Sequence, residues 1–471
     1  MTQPQPRVTF DYTNFLASAV GPEHGLTDKD LADAAPLAEK AFAAVSAARG
    51  KGWQGWTELH KSSAYAEECV ALWKKCEGRF DNLVVIGIGG SSLGTLAVKS
   101  ALCHPLHNEL PDDARRGARL YMLDNPDPVV CAAVLETLDL ERTLFNVISK
   151  SGTTAETTGQ FLVAREAVIE EVGEKHWAGH FVLTTDPRKG DMRKLAEKEK
   201  IPALAVPDGV GGRFSVLSPV GLFPAAAMGL DVGELLAGAA EVDARCSSPD
   251  WRQNPALALA VCLWLLDSRK EKPMHVLMPY ASGLADLADW YRQLWAESLG
   301  KARSLDGRTV NVGPTPIKAL GAVDQHSQVQ LYAEGPYDKA FVFVGLRKFA
   351  REVTMPKAYE DMSAFGYLGG HGLGELLDAE RQGTEVALTA AGRPNATIFI
   401  DDIGERTLGG IFFLLEMATA YAGRLYNVDA FDQPGVEAGK VASYALLGRK
   451  GFEDERAKIE KSRPAGGRKT V

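Results

Sequence analysis

The sequence is poor in the features that mark secreted, membrane-spanning and nucleic-acid-binding proteins. Its 471 residues include only six cysteines, none in a C-x-x-C pair, so free thiols in a reducing compartment are expected. No apolar run is long enough to cross a bilayer, and the N-terminus, MTQPQPRVTF, lacks the apolar core of a signal peptide. The net charge of -9 disfavours general binding to nucleic acids or anionic membranes. We therefore expect a cytoplasmic protein with neither as a partner.

What the sequence does contain is typical of a large α/β protein. Apolar residues make up 45% and charged residues 24%, and the length suggests two or three domains. Apolar runs predict strands at 82–90, 119–123, 144–148, 180–184 and near 203, and again at 275–278, 309–312, 340–344 and 396–400. Helical patterns lie between them, including 284–298, 372–391 and 404–426. Alternating strands and helices imply parallel sheets covered by helices on both faces.

One loop between a predicted strand and a predicted helix is rich in hydroxyl groups. Residues 149–154 read Ser-Lys-Ser-Gly-Thr-Thr, before a helical segment at 155–171. Hydroxyls and free N–H groups at a helix N-terminus favour an anion, because the helix dipole and the unpaired donors point at it. An ordinary helix cap needs one hydroxyl, whereas this loop carries four and a lysine. The pattern therefore favours a phosphate cradle.

A glycine-rich loop follows the predicted strand at 82–90. Its sequence, Gly87-Ile-Gly-Gly-Ser-Ser, departs from the dinucleotide fingerprint, because Ser92 stands where the third glycine is needed. No Gly-Lys-Ser/Thr follows, which excludes a P-loop. Both loops would lie at the carboxyl edge of one parallel sheet, where ligands bind in such folds. Together they predict a site for a phosphate or a sugar.

A series of motifs resembles that of the glucose-6-phosphate isomerase family in order and approximate spacing. The motifs are Gly87-Ile-Gly-Gly-Ser-Ser, Ser149-Lys-Ser-Gly-Thr-Thr, Gly211-Gly-Arg213-Phe-Ser, Glu297-Ser-Leu-Gly-Lys301, Gln325-His326 and Phe431-Asp-Gln433-Pro-Gly-Val-Glu-x-Gly-Lys440. The resemblance spans residues 82–447. Gly152 and Leu299 differ from the animal form and are similar to the shorter bacterial members.

The resemblance implies a fold and an assembly. The expected architecture is two SIS-type three-layer αβα domains with mainly parallel sheets, a helical N-terminal arm and a C-terminal helix. The predicted bounds are 1–79 for the arm, 80–250 and 251–430 for the two domains, and 431–471 for the C-terminal helix and a charged, mobile tail. The family works as a homodimer and needs no metal and no cofactor, and we expect the same here.

The resemblance also implies four catalytic residues. Glu297 matches the base that moves a proton between C2 and C1, and it lies four residues after Gln293 on one helix face. Arg213 matches the residue that stabilises the enediolate, and Lys440 matches a lysine that assists ring opening. His326 matches the ring-opening histidine, which the partner subunit contributes in this family. Each of the four residues also has an ordinary structural interpretation. Glu297 would be a surface acid and Arg213 a loop-anchoring ion pair, whereas Lys440 would be a solvated lysine and His326 a structural histidine.

The resemblance carries substrate contacts over to a further set of positions, all but Gln293 within the quoted motifs, namely Gly90, Ser91, Ser149, Lys150, Ser151, Thr154, Gly212, Gln293 and Gln433. The implied activity is interconversion of glucose 6-phosphate and fructose 6-phosphate. Two alternatives stay open: another SIS isomerase acting on mannose or amino-sugar phosphates, and a non-catalytic sugar-phosphate-binding regulator. A regulator would usually carry a basic helix-turn-helix segment, and none is evident in the sequence.

Overall fold

Two five-stranded sheets organise the computed structural model of this chain, which describes residues 6–462. Its strands are β1 (Val8–Asp11), β2 (Asn82–Ile86), β3 (Arg119–Leu123), β4 (Thr143–Ile148), β5 (Phe181–Thr185), β6 (Ala203–Ala205), β7 (Met274–Pro279), β8 (Lys301–Arg303), β9 (Thr309–Val312), β10 (Thr315–Lys318), β11 (Lys339–Leu346) and β12 (Asn395–Ile400).

Helices cover both sheets and account for most of the remaining chain. They are α1 (Ala17–Val20), α2 (Asp28–Ala48), α3 (Ala64–Cys76), α4 (Leu93–Leu102), α5 (Pro128–Thr137), α6 (Ala155–Val172), α7 (Asp191–Glu199), α8 (Pro219–Ala227), α9 (Val232–Arg245), α10 (Pro255–Lys270), α11 (Ala285–Leu299), α12 (Val329–Glu334), α13 (Ser363–Gly366), α14 (Leu373–Ala390), α15 (Glu405–Leu425), α16 (Glu437–Leu446) and α17 (Glu453–Ser462).

The first sheet has the strand order β3-β2-β4-β5-β6 and is parallel throughout. The second has the order β1-β12-β11-β7-β10 and is parallel except for β1. The predicted α/β class with mainly parallel sheets is therefore confirmed. All strands of the first sheet fall within 80–250, and all strands of the second except β1 fall within 251–430. The domain boundaries themselves stay predictions.

Local sequence explains where several elements begin. Helix α2 starts at a capping box, in which Thr27 accepts from the Asp30 N–H and Asp30 accepts from the Thr27 N–H. Asn254 caps α10, and Pro255 occupies its first turn, where a missing N–H costs nothing. Strands β2 and β4 are buried along their whole length, as expected for central strands covered on both faces.

The predicted N-terminal arm is helical only in part. Strand β1 pairs antiparallel with β12, with Val8 opposite Ile400, and so forms the edge of the second sheet. A four-residue strand whose partner lies almost 400 residues away leaves little local signal in the sequence. The mostly helical arm expected from the sequence thus also contains one short strand.

Two further expectations need correction. Residues 309–312 form strand β9 as predicted, but β9 pairs with β8 in a separate two-stranded sheet, and β10 takes the edge position beside β7. The charged segment after Phe452 is predicted to be a mobile tail, yet Glu453–Ser462 forms helix α17. The rest of that predicted tail, residues 463–471, lies outside the described residues.

Helices α10 and α15 lie in the main core. In α15 every residue from Thr407 to Gly423 is buried, and α10 is apolar and buried on nearly all sides. Helix α10 is not among the predicted elements, because a helix buried on all sides lacks the polar stripe that reveals amphipathic helices. Within residues 6–462 no helix is long and apolar enough to cross a membrane. All six cysteines are free thiols.

Candidate active site

The two hydroxyl-bearing loops lie side by side. Strands β2 and β4 are neighbours in the first sheet, with Ile86 opposite Val147. The glycine-rich loop leaves the carboxyl end of β2, and the loop 149–154 leaves the carboxyl end of β4. The sequence-based expectation that both loops meet at one edge is therefore confirmed.

Loop 149–154 folds around the hydroxyl of Ser149. This buried oxygen accepts a hydrogen bond from the Gly152 N–H at 3.1 Å and lies 3.1 Å from the Thr154 hydroxyl. Gly152 has a φ of +65°, which a residue with a side chain adopts only at a cost. The Ser151 hydroxyl is exposed and accepts from the Thr153 N–H at 3.3 Å.

Helix α6 begins directly after this loop and leaves its first donors available. Thr154 occupies the cap position, but its side chain makes no capping hydrogen bond. The first N–H groups of an α-helix have no partner within the helix. The N-terminus of α6 is therefore a suitable place for an anion.

Lys150 points away from the centre of its loop. Its ammonium donates to the Val210 carbonyl at 2.6 Å and lies 4.6 Å from the centre of the Trp53 ring. Burial lowers the pKa of Lys150, with Asp186 and Asp208 opposing the shift. The lysine thus ties the loop 149–154 to the Gly-rich loop before Arg213.

The glycine-rich loop after β2 packs directly on the backbone of the Gly-Gly-Arg motif. A Cβ atom on Gly90 would lie 2.2 Å from the carbonyl carbon of Gly212, and one on Gly89 would lie 3.0 Å from Nε2 of Gln293. Ser91 is half-buried in the same turn. Only glycine permits this approach at position 90, and the approach brings the motifs at 87–92 and 211–215 together, with Gln293 of α11 beside them.

Arg213 is the most heavily bonded side chain at the site. Its guanidinium donates to the Ser298 hydroxyl at 2.7 Å, to Gln433 Oε1 at 2.6 Å, and to the carbonyls of Ala430 at 2.6 Å and Asp432 at 3.0 Å. Burial lowers its pKa, and the nearby Glu297 carboxylate opposes the shift. This buried cation holds together the segment 430–433, helix α11 and its own loop.

Glu297 lies in the last turn of α11 and faces that cation. Its Oε2 is 3.3 Å from Arg213 Nη1, and it accepts from the Gln293 side chain at 3.3 Å. The predicted pairing of Gln293 and Glu297 on one helix face is therefore present. Oε1 of Gln293 is buried and has no hydrogen-bond partner among the described residues. An unpaired buried acceptor beside a carboxylate and a guanidinium is a place for a ligand hydroxyl.

Lys440 and His326 stand apart from this cluster. Lys440 is exposed on α16 and pairs with Glu437 at 2.9 Å. Helix α16 nevertheless rests on the cradle, since the Tyr444 hydroxyl donates to the Thr153 carbonyl at 3.1 Å. His326 ends the exposed turn Val323–His326, and within residues 6–462 its ring makes no hydrogen bond and no ion pair.

Sequence reasoning missed the groups that hold Arg213 and the end of α11 in place. Ser298 and Lys301 both lie within a quoted motif, but their types alone indicate no role. The carbonyls of Ala430 and Asp432 carry no signal in a sequence at all. Only buried polar contacts between distant segments reveal such residues. Across the described chain, no group of three or more His, Cys, Asp or Glu is placed to hold a metal ion.

Comparison with known proteins identifies the family of this chain. The sequence pattern of the Phosphoglucose isomerase family matches residues 56–357 and 375–462. A glucose-6-phosphate isomerase from Carboxydothermus hydrogenoformans is 47% identical over 81% of this chain and 82% of its own length. The glucose-6-phosphate isomerase from Rubrobacter xylanophilus is 45% identical over 94% of this chain and 99% of its own length. A crystal structure of a glucose-6-phosphate isomerase from Chlamydia trachomatis has a TM-score of 0.74 at 26% identity, covering 85% of this chain and 76% of its own. This chain therefore belongs to the phosphoglucose isomerase family.

Proposed function

We propose that this chain interconverts glucose 6-phosphate and fructose 6-phosphate through a cis-enediol(ate), as a cytoplasmic enzyme of glycolysis and gluconeogenesis. The observation that carries the proposal is the 3.3 Å contact between the Glu297 carboxylate and the Arg213 guanidinium, beside the two loops suited to an anion. Relatives named glucose-6-phosphate isomerase support the choice of substrate. Six free cysteines suit a reducing compartment.

Glu297 and Arg213 divide the chemistry of isomerisation between them. The carboxylate removes the proton from C2 of the open-chain aldose and returns it to C1, which needs a base that also serves as an acid. As the C2 carbonyl forms, the hydroxyl proton on the C2 oxygen passes to the C1 oxygen. The electrons released from the C2–H bond collect on the oxygen at C1. A fixed, desolvated guanidinium stabilises the negatively charged enediolate oxygen more strongly than it stabilises the neutral carbonyl oxygen of the substrate. This difference lowers the barrier to proton removal. The side-chain amides of Gln293 and Gln433, which contact Glu297 and Arg213, are placed to bind sugar hydroxyls.

The phosphate is assigned to the loop 149–154 and the neighbouring turn. The hydroxyls of Ser149, Ser151 and Thr154, together with the free N–H groups of α6, supply donors without a full positive charge. Gly90, Ser91 and Gly212 form the wall next to this cradle. Lys150 contributes by holding the cradle to the Val210 carbonyl.

Ring opening is assigned to Lys440 and to His326 of a second copy of the chain. His326 is exposed, and it follows Val323, a large apolar side chain that is 63% exposed. More large apolar side chains are exposed nearby in sequence, namely Leu331, Val353, Tyr359, Met362, Phe365, Tyr367 and Leu373. The concentration of exposed apolar side chains in residues 323–373 supports contact of this part of the chain with another protein surface. A homodimer would cover it and deliver the histidine.

The trans arrangement predicts that two inactive variants restore each other. Glu297→Gln and His326→Ala should each be inactive alone, and a mixed dimer should contain one site with both native residues. An equal, random mixture should therefore regain about a quarter of the wild-type activity, because the two sites of a symmetric dimer are equivalent. Mass-tagged subunits report whether exchange occurs. If exchange is complete and no activity returns, His326 does not act across the interface.

The proposed activity predicts turnover of fructose 6-phosphate by the purified chain. Product glucose 6-phosphate is followed with a coupled dehydrogenase, in the presence of a chelator that removes divalent metals. Mannose 6-phosphate and glucosamine 6-phosphate, offered at the same concentration, test the neighbouring isomerase activities. Faster turnover of either would replace the proposed substrate. Binding of sugar phosphates without any turnover would favour a regulator.

A further inference from the structure

Lys301 is a buried lysine placed one turn after Glu297. Only 7% of the residue is exposed, and it follows Gly300 at the start of strand β8. Burial lowers the pKa of its ammonium, and the nearby Arg213 cation lowers it further. A buried charge is costly unless it is paired and hydrogen-bonded. The contacts that offset the cost of burying the Lys301 ammonium therefore indicate its role.

Two of these contacts close the end of helix α11. The ammonium donates to the carbonyl of Glu297 at 2.7 Å and to that of Ser298 at 2.9 Å. The last carbonyls of a helix lack an N–H partner within it, and they form the negative end of its dipole. A cation at this position stabilises the last turn against fraying. That turn is the one from which the Glu297 side chain projects.

The third contact reaches the segment that holds Arg213. Lys301 Nζ lies 3.5 Å from the Asp432 carboxylate. The carbonyl of the same aspartate accepts from Arg213 at 3.0 Å, and the Ser298 hydroxyl accepts from Arg213 at 2.7 Å. One ammonium thus connects the backbone that carries Glu297 to the backbone that anchors Arg213.

We propose that Lys301 is a positioning residue, which fixes the Glu297 carboxylate relative to the Arg213 guanidinium by joining the end of α11 to Asp432. The inference rests on the proposed isomerisation. Proton transfer at C2 and stabilisation of the enediolate oxygen must act on the same intermediate. Displacement of either group by about 1 Å can cost on the order of 100-fold in rate.

Lys272 supplies a matched control, because it is a buried lysine in an equivalent local role. It is 3% exposed, and its ammonium donates to the Lys270 carbonyl at 2.6 Å, at the end of α10. Lys272→Met and Lys301→Met should therefore both lower the melting temperature. Only Lys301→Met should affect catalysis, because Lys272 makes no contact with the site.

The experiment compares kcat, KM and solvent exchange of the C2 proton in the two variants and the wild type. For Lys301→Met we expect kcat and C2 proton exchange to fall together by about 10- to 100-fold, with KM for fructose 6-phosphate within about threefold because the phosphate cradle is untouched. Lys301→Arg, which keeps a donor at the same place, should recover part of kcat. Lys272→Met should keep the wild-type kcat.

The other possible outcomes exclude either the positioning role of Lys301 or the isomerase activity itself. Wild-type kcat and proton exchange in folded Lys301→Met would overturn the positioning role, as would an equal loss in Lys272→Met. If Lys301→Met does not fold, Asp432→Asn replaces it, because that side chain is 49% exposed and only the outer end of the connection is lost. The same selective loss of kcat is expected there, and its absence would overturn the proposal. An inactive wild type would instead refute the isomerase activity, and the role of Lys301 with it.

Discussion

Glu297→Gln is expected to lower isomerisation by roughly 10²–10⁴-fold, the contribution ascribed to a general acid–base group. Glutamine has the size of glutamate and keeps an oxygen for Arg213 Nη1, now at 3.3 Å from the carboxylate. It also keeps a partner for Gln293. Folding and sugar-phosphate binding should survive, because the variant keeps the size and the accepting oxygen of the side chain and loses its charge and its ability to accept a proton.

The decisive measurement is exchange of the C2 proton of glucose 6-phosphate in deuterated water, followed by NMR. Exchange should fall together with isomerisation, whereas interconversion of the anomers should persist, because ring opening is assigned to His326 and Lys440. Glu199→Gln is the matched control: this glutamate ends helix α7 and pairs with a lysine at 3.1 Å, at the opposite end of α7 from the residues that contact Gly152. If Glu297→Gln still exchanges the proton at a near wild-type rate, another residue is the base.

The first sheet and its loops are the part of the fold that the sequence predicts best. Strand β3 (Arg119–Leu123) has the predicted bounds, and α6 (Ala155–Val172) differs from its predicted range by one residue. Here each strand is a short apolar run bounded by turn residues, and each helix follows within a few residues. Local patterns are sufficient in such a region because neighbours in sequence are neighbours in space.

The second sheet shows where local patterns fail. Strand β1 joins it from the N-terminus, β10 is only four residues long, and β9 has the composition of a strand but pairs elsewhere. Which strands pair depends on packing between distant segments, which a single sequence does not display. Helix α10 is missed for a related reason, since its burial on all sides removes the periodic pattern.

The candidate site likewise contains a part that local sequence predicts and a part that depends on contacts between distant segments. The residue types of the loops at 87–91 and 149–154 indicate their chemistry, because hydroxyls and glycines before a helix suit an anion. The meeting of Glu297 with Arg213 joins two segments more than 80 residues apart, and only the family resemblance predicts it. The contacts of Lys301 were predicted by neither route, because a lysine in a sequence gives no sign of being buried.

Arg213→Lys is expected to lower kcat by about 10²–10³-fold, comparable to the loss of one preorganised donor to a developing oxyanion. Lysine keeps the positive charge but donates from a single nitrogen. The native guanidinium reaches Ser298, Gln433 and two backbone carbonyls from three separate nitrogens. An ammonium bound to the Ala430 carbonyl would place no positive charge near Gln433 and Glu297, where the intermediate is expected.

The test for Arg213 is whether Arg213→Lys weakens the binding of a charged intermediate analogue more than the binding of a neutral one. A sugar-phosphate hydroxamate mimics the charged enediolate, whereas glucitol 6-phosphate resembles only the neutral open chain. Hydroxamate binding should weaken in proportion to kcat/KM, and glucitol 6-phosphate binding should change much less, because the cation acts mainly on charge that develops in the transition state.

Arg393→Lys is the matched control, since Arg393 is buried and donates to the carbonyls of Ala333, Gly335 and Pro336, outside the site. Equal weakening of both ligands by Arg213→Lys would mean that the arginine only maintains the fold of the segment 430–433.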